Sequence, residues 1–193
     1  MEDDKSIRSF LAIDLPAEVL NKIRTIQNQL KKTIEGSIGW TRPEGIHLTL
    51  KFFGNISEND ISNITMVIEN HVNRIKPLAL NAGNLGVFPT LARPRVLWLG
   101  VGGDVEPLAG FQKSIDPALQ KIGFEGETRP FRPHLTLARI KDPKSVIGLA
   151  KIMEKSDNYE AGHFHAGGIT LFKSQLSPKG AIYTKLAYFP FAC

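Results

Sequence analysis

The tetrapeptide His-Leu-Thr-Leu occurs twice, as His47-Leu48-Thr49-Leu50 and as His134-Leu135-Thr136-Leu137, 87 residues apart in a chain of 193. The surroundings echo each other too. Each copy follows a proline, Pro43 or Pro133, and lies in a predicted strand with a predicted helix on either side. That period is far longer than a solenoid unit, so the duplication points to two pseudo-symmetric lobes. Side chains in a strand alternate between faces. The His and Thr of each copy therefore share one face, and the two leucines turn into a core. Lobes that face each other enclose two imidazoles and two hydroxyls.

The rest of the chain supplies the frame. Residues 7–15 read as a buried strand. Val19, Leu20, Ile23, Ile26, Leu30 and Ile34 recur at helical spacing before Gly36. A strand is predicted over 46–53, closed by Gly54-Asn55. Ser57-Glu58-Asn59-Asp60 has the form of a capping box opening a second helix. Strands follow over 78–88 and 96–101. A helical pattern from Val105 to Ile122 contains Pro117, which predicts a kink or two short helices. A strand over 132–140 precedes a helix opening at Asp142-Pro143 and running to Met153. Two or three strands with a turn at 177–180 complete the chain. Interspersed helices and strand–turn–strand stretches favour an α+β or α/β class with antiparallel pairing.

A pair of imidazoles across a cleft can act as general base and general acid near neutral pH. Two threonine hydroxyls can donate to the non-bridging oxygens of an oxyanion. A phosphodiester is the group that needs both. No carboxylate-rich metal pattern appears, so no metal or other cofactor is expected. Cys193 is the lone cysteine, which excludes an intramolecular disulfide and a cysteine-rich zinc site. No secretory signal and no apolar run near the roughly 20 residues of a membrane span is present, so a cytoplasmic protein without a membrane partner is the default. Lys and Arg number 24 against 19 Asp and Glu, a net charge of +5 that permits a polyanionic partner without requiring one.

The paired motif resembles the signature of the two-histidine (2H) phosphoesterase superfamily. Within it the chain looks most like the RNA 2′,3′-cyclic phosphodiesterases once called 2′-5′ RNA ligases. Arg8-Ser9-Phe10-Leu11-Ala12-Ile13, the stretch from Trp40-Thr41 to Phe53-Gly54, and Phe131-Arg132-Pro133-His134 to Arg139 carry the resemblance. It implies one bilobal α+β domain over 1–193, with two antiparallel-rich sheets flanked by helices around a central cleft. It also implies that His47 and His134 open a terminal 2′,3′-cyclic phosphate to a 2′-phosphate, one as base and the other as acid, while Thr49 and Thr136 hold the phosphate. Reversal with a 5′-hydroxyl would make a 2′-5′ linkage. The residues do not say which histidine is the base. RNA 3′ ends or small cyclic-phosphate nucleotides are the implied partners. The same chemistry on 2′-5′ oligonucleotides or an ADP-ribose cyclic phosphate is the enzymatic alternative, and a non-catalytic RNA-end binding module is the other.

Further residues are candidates. Arg132 shares parity with His134 and Thr136 and could neutralise a phosphate. Arg139 has the opposite parity, although the family pattern carries an arginine there; only a bulge or the strand end reconciles the two. Lys51 and Phe53 share parity with His47, and Phe53 could stack a base at the groove mouth, though a core position suits it as well. Arg42, Arg93 and Arg95 could track an RNA backbone but read as surface residues. His163 and His165 lack a third metal ligand nearby. His71 reads as a packed or boundary residue, and Trp40 and Trp98 as core or rim. No feature asks for a partner copy, so a monomer is the default.

Overall fold

Apolar runs of seven to thirteen residues punctuated by glycine and proline form nine strands among the described residues, 6–177 and 180–192 of a computed structural model. They are β1 (Ile7–Ile13), β2 (Ile38–Trp40, the short exception), β3 (Leu48–Ile56), β4 (Leu78–Thr90), β5 (Arg93–Gly103), β6 (His134–Ile140), β7 (Glu160–Ala166), β8 (Gly168–Ser177) and β9 (Gly180–Pro190). Four α-helices are interleaved: α1 (Ala17–Leu30), α2 (Glu58–Val72), α3 (Val105–Lys121) and α4 (Leu149–Met153). The motif duplication extends to the elements. β1, α1 and β3 are repeated in order by β5, α3 and β6, and β4 is repeated by β8.

The strand order is β7-β4-β5-β6-β3-β1-β8-β9, with β2 paired to β6, and the pairings are antiparallel. The path falls into two halves of four strands. The two halves meet in the single residue pair Leu48–Leu135, so β3 and β6 diverge on either side of it. The two sheets expected from the sequence are thus joined at the centre of the duplicated motif.

One face of the sheet is covered by helices. Val19, Ile23 and Leu30 of α1, Ile64 and Ile68 of α2, and Leu108, Ile115 and Leu119 of α3 bury against Leu11, Leu48, Leu99 and Leu135. Each such side chain contributes about 1.5–3 kcal/mol of transfer free energy. The capping box of α2 is present: Ser57 Oγ accepts from the Asp60 N–H at 3.2 Å, and Asp60 Oδ2 accepts from the Ser57 N–H at 2.8 Å. No helix among the described residues is long and apolar enough to cross a membrane.

Three local expectations change. α1 stops at Leu30, and Ile34 buries from the loop beyond it. α3 runs unbroken through Pro117, which lies on its exposed side, where water can serve the carbonyl that the proline leaves free. The helix expected from Asp142 to Met153 is split into a 3-10 turn at Pro143–Ser145 and α4, because Gly148 between them has φ of 83°. The tail holds three strands; Pro178 and Lys179 of the expected turn, and Cys193, lie outside the described residues.

Candidate active site

The pairing of Leu48 with Leu135 fixes what stands opposite what. In that antiparallel register His47 lies across from Thr136, and Thr49 across from His134. Leu48, Leu50, Leu135 and Leu137 bury in the core, whereas the two histidines and two threonines are half-buried on the other face. All four polar side chains of the duplicated motif therefore line one cleft.

Both motif strands then break their alternation at the same place. On β3, Lys51 pairs with Leu11 and Thr49 with Ala12, so Leu50 is an inserted residue. On β6, Ala138 pairs with Leu97 and Thr136 with Trp98, so Leu137 is its counterpart. A bulge of one residue reverses the facing of all that follows. Ala138 accordingly buries, and Arg139 turns to the exposed cleft side, paired with Val96. The bulged carbonyl of Leu137 is not left alone. Buried Gln27 of α1 donates to it through Nε2 at 2.9 Å, and the Thr41 N–H donates to it at 2.9 Å.

The bulge at Leu50 has a matching effect on β3. Lys51 is buried on the core side and does not share the His47 face. Phe53 packs edge-on against Phe124 at 5.2 Å, among residues of the core, so the groove-mouth position expected for it is corrected. Phe52 takes that position, 58% exposed and 5.9 Å from the ring of Phe10.

Each imidazole has an aromatic wall. His47 stacks on Phe10 at 4.4 Å and meets the edge geometry of Tyr183 at 5.2 Å. Phe10, Ala12 and Phe172 form a small buried cluster on this face, with Tyr183 packed against it. Burial pushes the His47 pKa down to about 4, against smaller upward contributions from the backbone of Gly45 and the charge of Asp14. His134 sits against Phe88 at 5.0 Å and Trp98 at 6.3 Å. Gly86 makes room for this wall, since a Cβ there would lie 2.1 Å from the Trp98 ring. The Nδ1 of His134 bonds the Arg132 carbonyl at 2.7 Å, a contact in which Nδ1 must donate, leaving Nε2 free to take or give a proton.

Arginines border the cleft. Arg8 lies on the face of β1 shared by Phe10, and Arg139 comes from the other half of the sheet. Burial pushes the Tyr183 hydroxyl pKa up, while the charges of Arg139 and Arg8 pull it the other way. Arg132 is exposed at the entrance to β6. Arg42, Arg93 and Arg95 are exposed, and Arg95 donates to the Lys141 carbonyl. His163 and His165 are exposed on β7, and no three His, Cys, Asp or Glu among the described residues are placed to hold a metal. His71 bonds the Val67 carbonyl within α2. Trp40 packs at the core with Lys31 over its ring, whereas Trp98 belongs to the site.

Sequence reasoning did not single out Tyr183, Phe88 or Arg8. Tyr183 reaches the site from β9, far along the chain from His47, and only folding brings them together. Arg8 and Phe10 had a usable signal, since their even spacing puts them on one strand face.

The chain matches the 2′-5′ RNA ligase superfamily over residues 13–177. It is 34% identical to an RNA 2′,3′-cyclic phosphodiesterase of Methanothermobacter thermautotrophicus over 95% of this chain and 98% of that one. It is 34% identical to the protein of the same name from Methanocaldococcus jannaschii, over 92% and 96% of the two chains. Among solved structures, E. coli LigT complexed with 3′-AMP superposes with a TM-score of 0.79 over 98% of this chain and 100% of that one, at 23% identity. That likeness shows a shared fold.

Proposed function

The chain belongs to the 2′-5′ RNA ligase superfamily, and from that premise we propose that it is an RNA 2′,3′-cyclic phosphodiesterase, hydrolysing a terminal cyclic phosphate to a 2′-phosphate. The observation that carries this reading is the pairing of Leu48 with Leu135, which sets two His and two Thr on one cleft face. Thr49 and Thr136 donate to the non-bridging oxygens and steady the charge that builds on phosphorus. One imidazole takes a proton from the attacking water. The other gives a proton to the 3′ oxygen as the P–O3′ bond breaks, and the 2′ ester remains. In the empty cleft His47 is neutral at pH 7, and an anionic phosphate beside it raises its proton affinity. Arg139 and Arg8 supply positive charge at the rim, Arg132 adds to it, and exposed Phe52 offers a face for a nucleobase. All these groups come from one chain, which supports a monomer, and the continuous sheet supports a single bilobal unit.

The test is turnover, with chelator present, of a short RNA bearing a 2′,3′-cyclic phosphate, with the product phosphate mapped. His47→Ala and His134→Ala should each lower kcat by about 10²–10⁴-fold. Absence of turnover by the wild type, or formation of a 3′-phosphate, would reject the reading.

A further inference from the structure

The structure assigns Lys51 as a positioning residue for His134: its buried ammonium clamps the connector between α3 and β6, so that the Arg132 carbonyl is held against the His134 ring. Its kinetic consequence rests on the proposed role of His134, whereas the clamp itself does not.

Lys51 follows His47 on β3, and the bulge at Leu50 turns it away from the cleft, where it is 4% exposed. Its Nζ donates to the Glu125 carbonyl at 2.6 Å and to Asp116 Oδ1 at 3.0 Å, and lies 3.2 Å from Glu127 Oε1. The Glu127 N–H donates to both Asp116 oxygens at 3.1 Å. Burial pushes the Asp116 carboxyl pKa up, but the Lys51 ammonium, the Glu127 N–H and the Gln120 amide outweigh it and hold it below the usual carboxylate range. Removing one partner from such a cluster leaves the others buried without compensation.

What the cluster holds is a stretch with no helix or strand of its own, residues 122–133. Its first half is pinned from β3 by Lys51 and by the packing of Phe124 on Phe53. Its second half ends in the Arg132 carbonyl on His134 Nδ1 and the Pro133 carbonyl on the Val101 N–H. Only Thr128 to Phe131 separate the clamp from Arg132. Pro130 and Pro133 fix two φ angles there and bias Arg129 and Arg132 to extended backbone. A stiff segment this short passes a shift at Glu127 on to the carbonyl that orients His134. The clamp also crosses between the halves of the sheet, since β3 and β6 share only the Leu48–Leu135 pair.

The experiment compares the wild type with Lys51→Met, Lys51→Arg and Glu127→Gln, using long-range ¹⁵N–¹H spectra of the His134 ring in the free protein and steady-state kinetics on a cyclic-phosphate RNA. The wild type should show His134 in its Nδ1–H form. In Lys51→Met the Nδ1 proton should exchange faster and kcat should fall about 10- to 100-fold with KM within roughly twofold, as for a misplaced catalytic group. Lys51→Arg should recover part of both, and Glu127→Gln should lie between. If Lys51→Met does not fold, Glu127→Gln decides. Unchanged His134 signals in a folded variant would overturn the clamp, and altered signals with unchanged kcat would overturn the positioning role. If the wild type itself shows no turnover, the phosphodiesterase reading falls while the spectra still decide the clamp.

Discussion

His47 is the residue at which stability and chemistry meet. Its ring is walled by Phe10, Phe172 and Tyr183, and burial holds its pKa at about 4, below the ordinary 6.5. The unfolded chain therefore binds this proton more tightly than the folded one. Above pH 6.5 neither state is protonated and the group is neutral in its effect; as pH falls from 6.5 towards 4, only the unfolded state gains the proton and stability is lost. The loss approaches roughly 3 kcal/mol once pH is below the folded value. Denaturant unfolding of the wild type and of His47→Gln between pH 7 and pH 4 should show the stability difference shrinking or reversing in favour of the variant by about that amount. Parallel pH curves for the two proteins would mean that His47 is solvated. An anionic ligand in the cleft should oppose the loss, because it stabilises the protonated ring in the folded state alone.

At the scale of elements, the paired bulges decide which side chains reach the cleft. The repeated His-Leu-Thr-Leu strands, their facing and the flanking helices were legible because period-2 alternation and helical periodicity are local properties. The bulges were not, because a bulge is a mismatch between two strands and exists only once β3 lies on β1 and β6 on β5. The family arginine at position 139 was the one hint, since strict alternation points it into the core. The same event on β3 exchanged Phe53 for Phe52 without any such hint. The missed Tyr183 has the same cause at longer range, arriving on β9 through the pairing of Ser174 with Tyr183. Substitution separates the two phenylalanines. Phe52→Ala should leave thermal stability within about 0.5 kcal/mol and raise KM for RNA several-fold. Phe53→Ala, which removes a ring packed on Phe124, should cost about 2–3 kcal/mol with KM little changed. Chemical denaturation and steady-state kinetics read both, and the opposite pattern would place the bulge elsewhere.

For the whole molecule, the excess of five positive charges matters by where it lies. Arg8 from one half of the sheet and Arg139 from the other both act at Tyr183 on the cleft face, and Arg132 stands at the entrance to β6. Charge scattered on the outer faces would serve solubility alone; charge at the rim adds to the binding of a strand with several phosphates. A cyclic mononucleotide presents a single phosphate, which the threonines already hold, so its turnover should depend weakly on salt. An oligonucleotide reaches the rim as well. If two arginines each neutralise one phosphate of a single strand, log kcat/KM should fall with log salt at a slope steeper by about 1.4 than for the mononucleotide. Arg139→Gln should remove about half of that difference and leave the mononucleotide slope unchanged. Equal slopes for the two substrates would mean that the strand leaves the protein at the scissile phosphate and that the rim arginines contact only the terminal nucleotide.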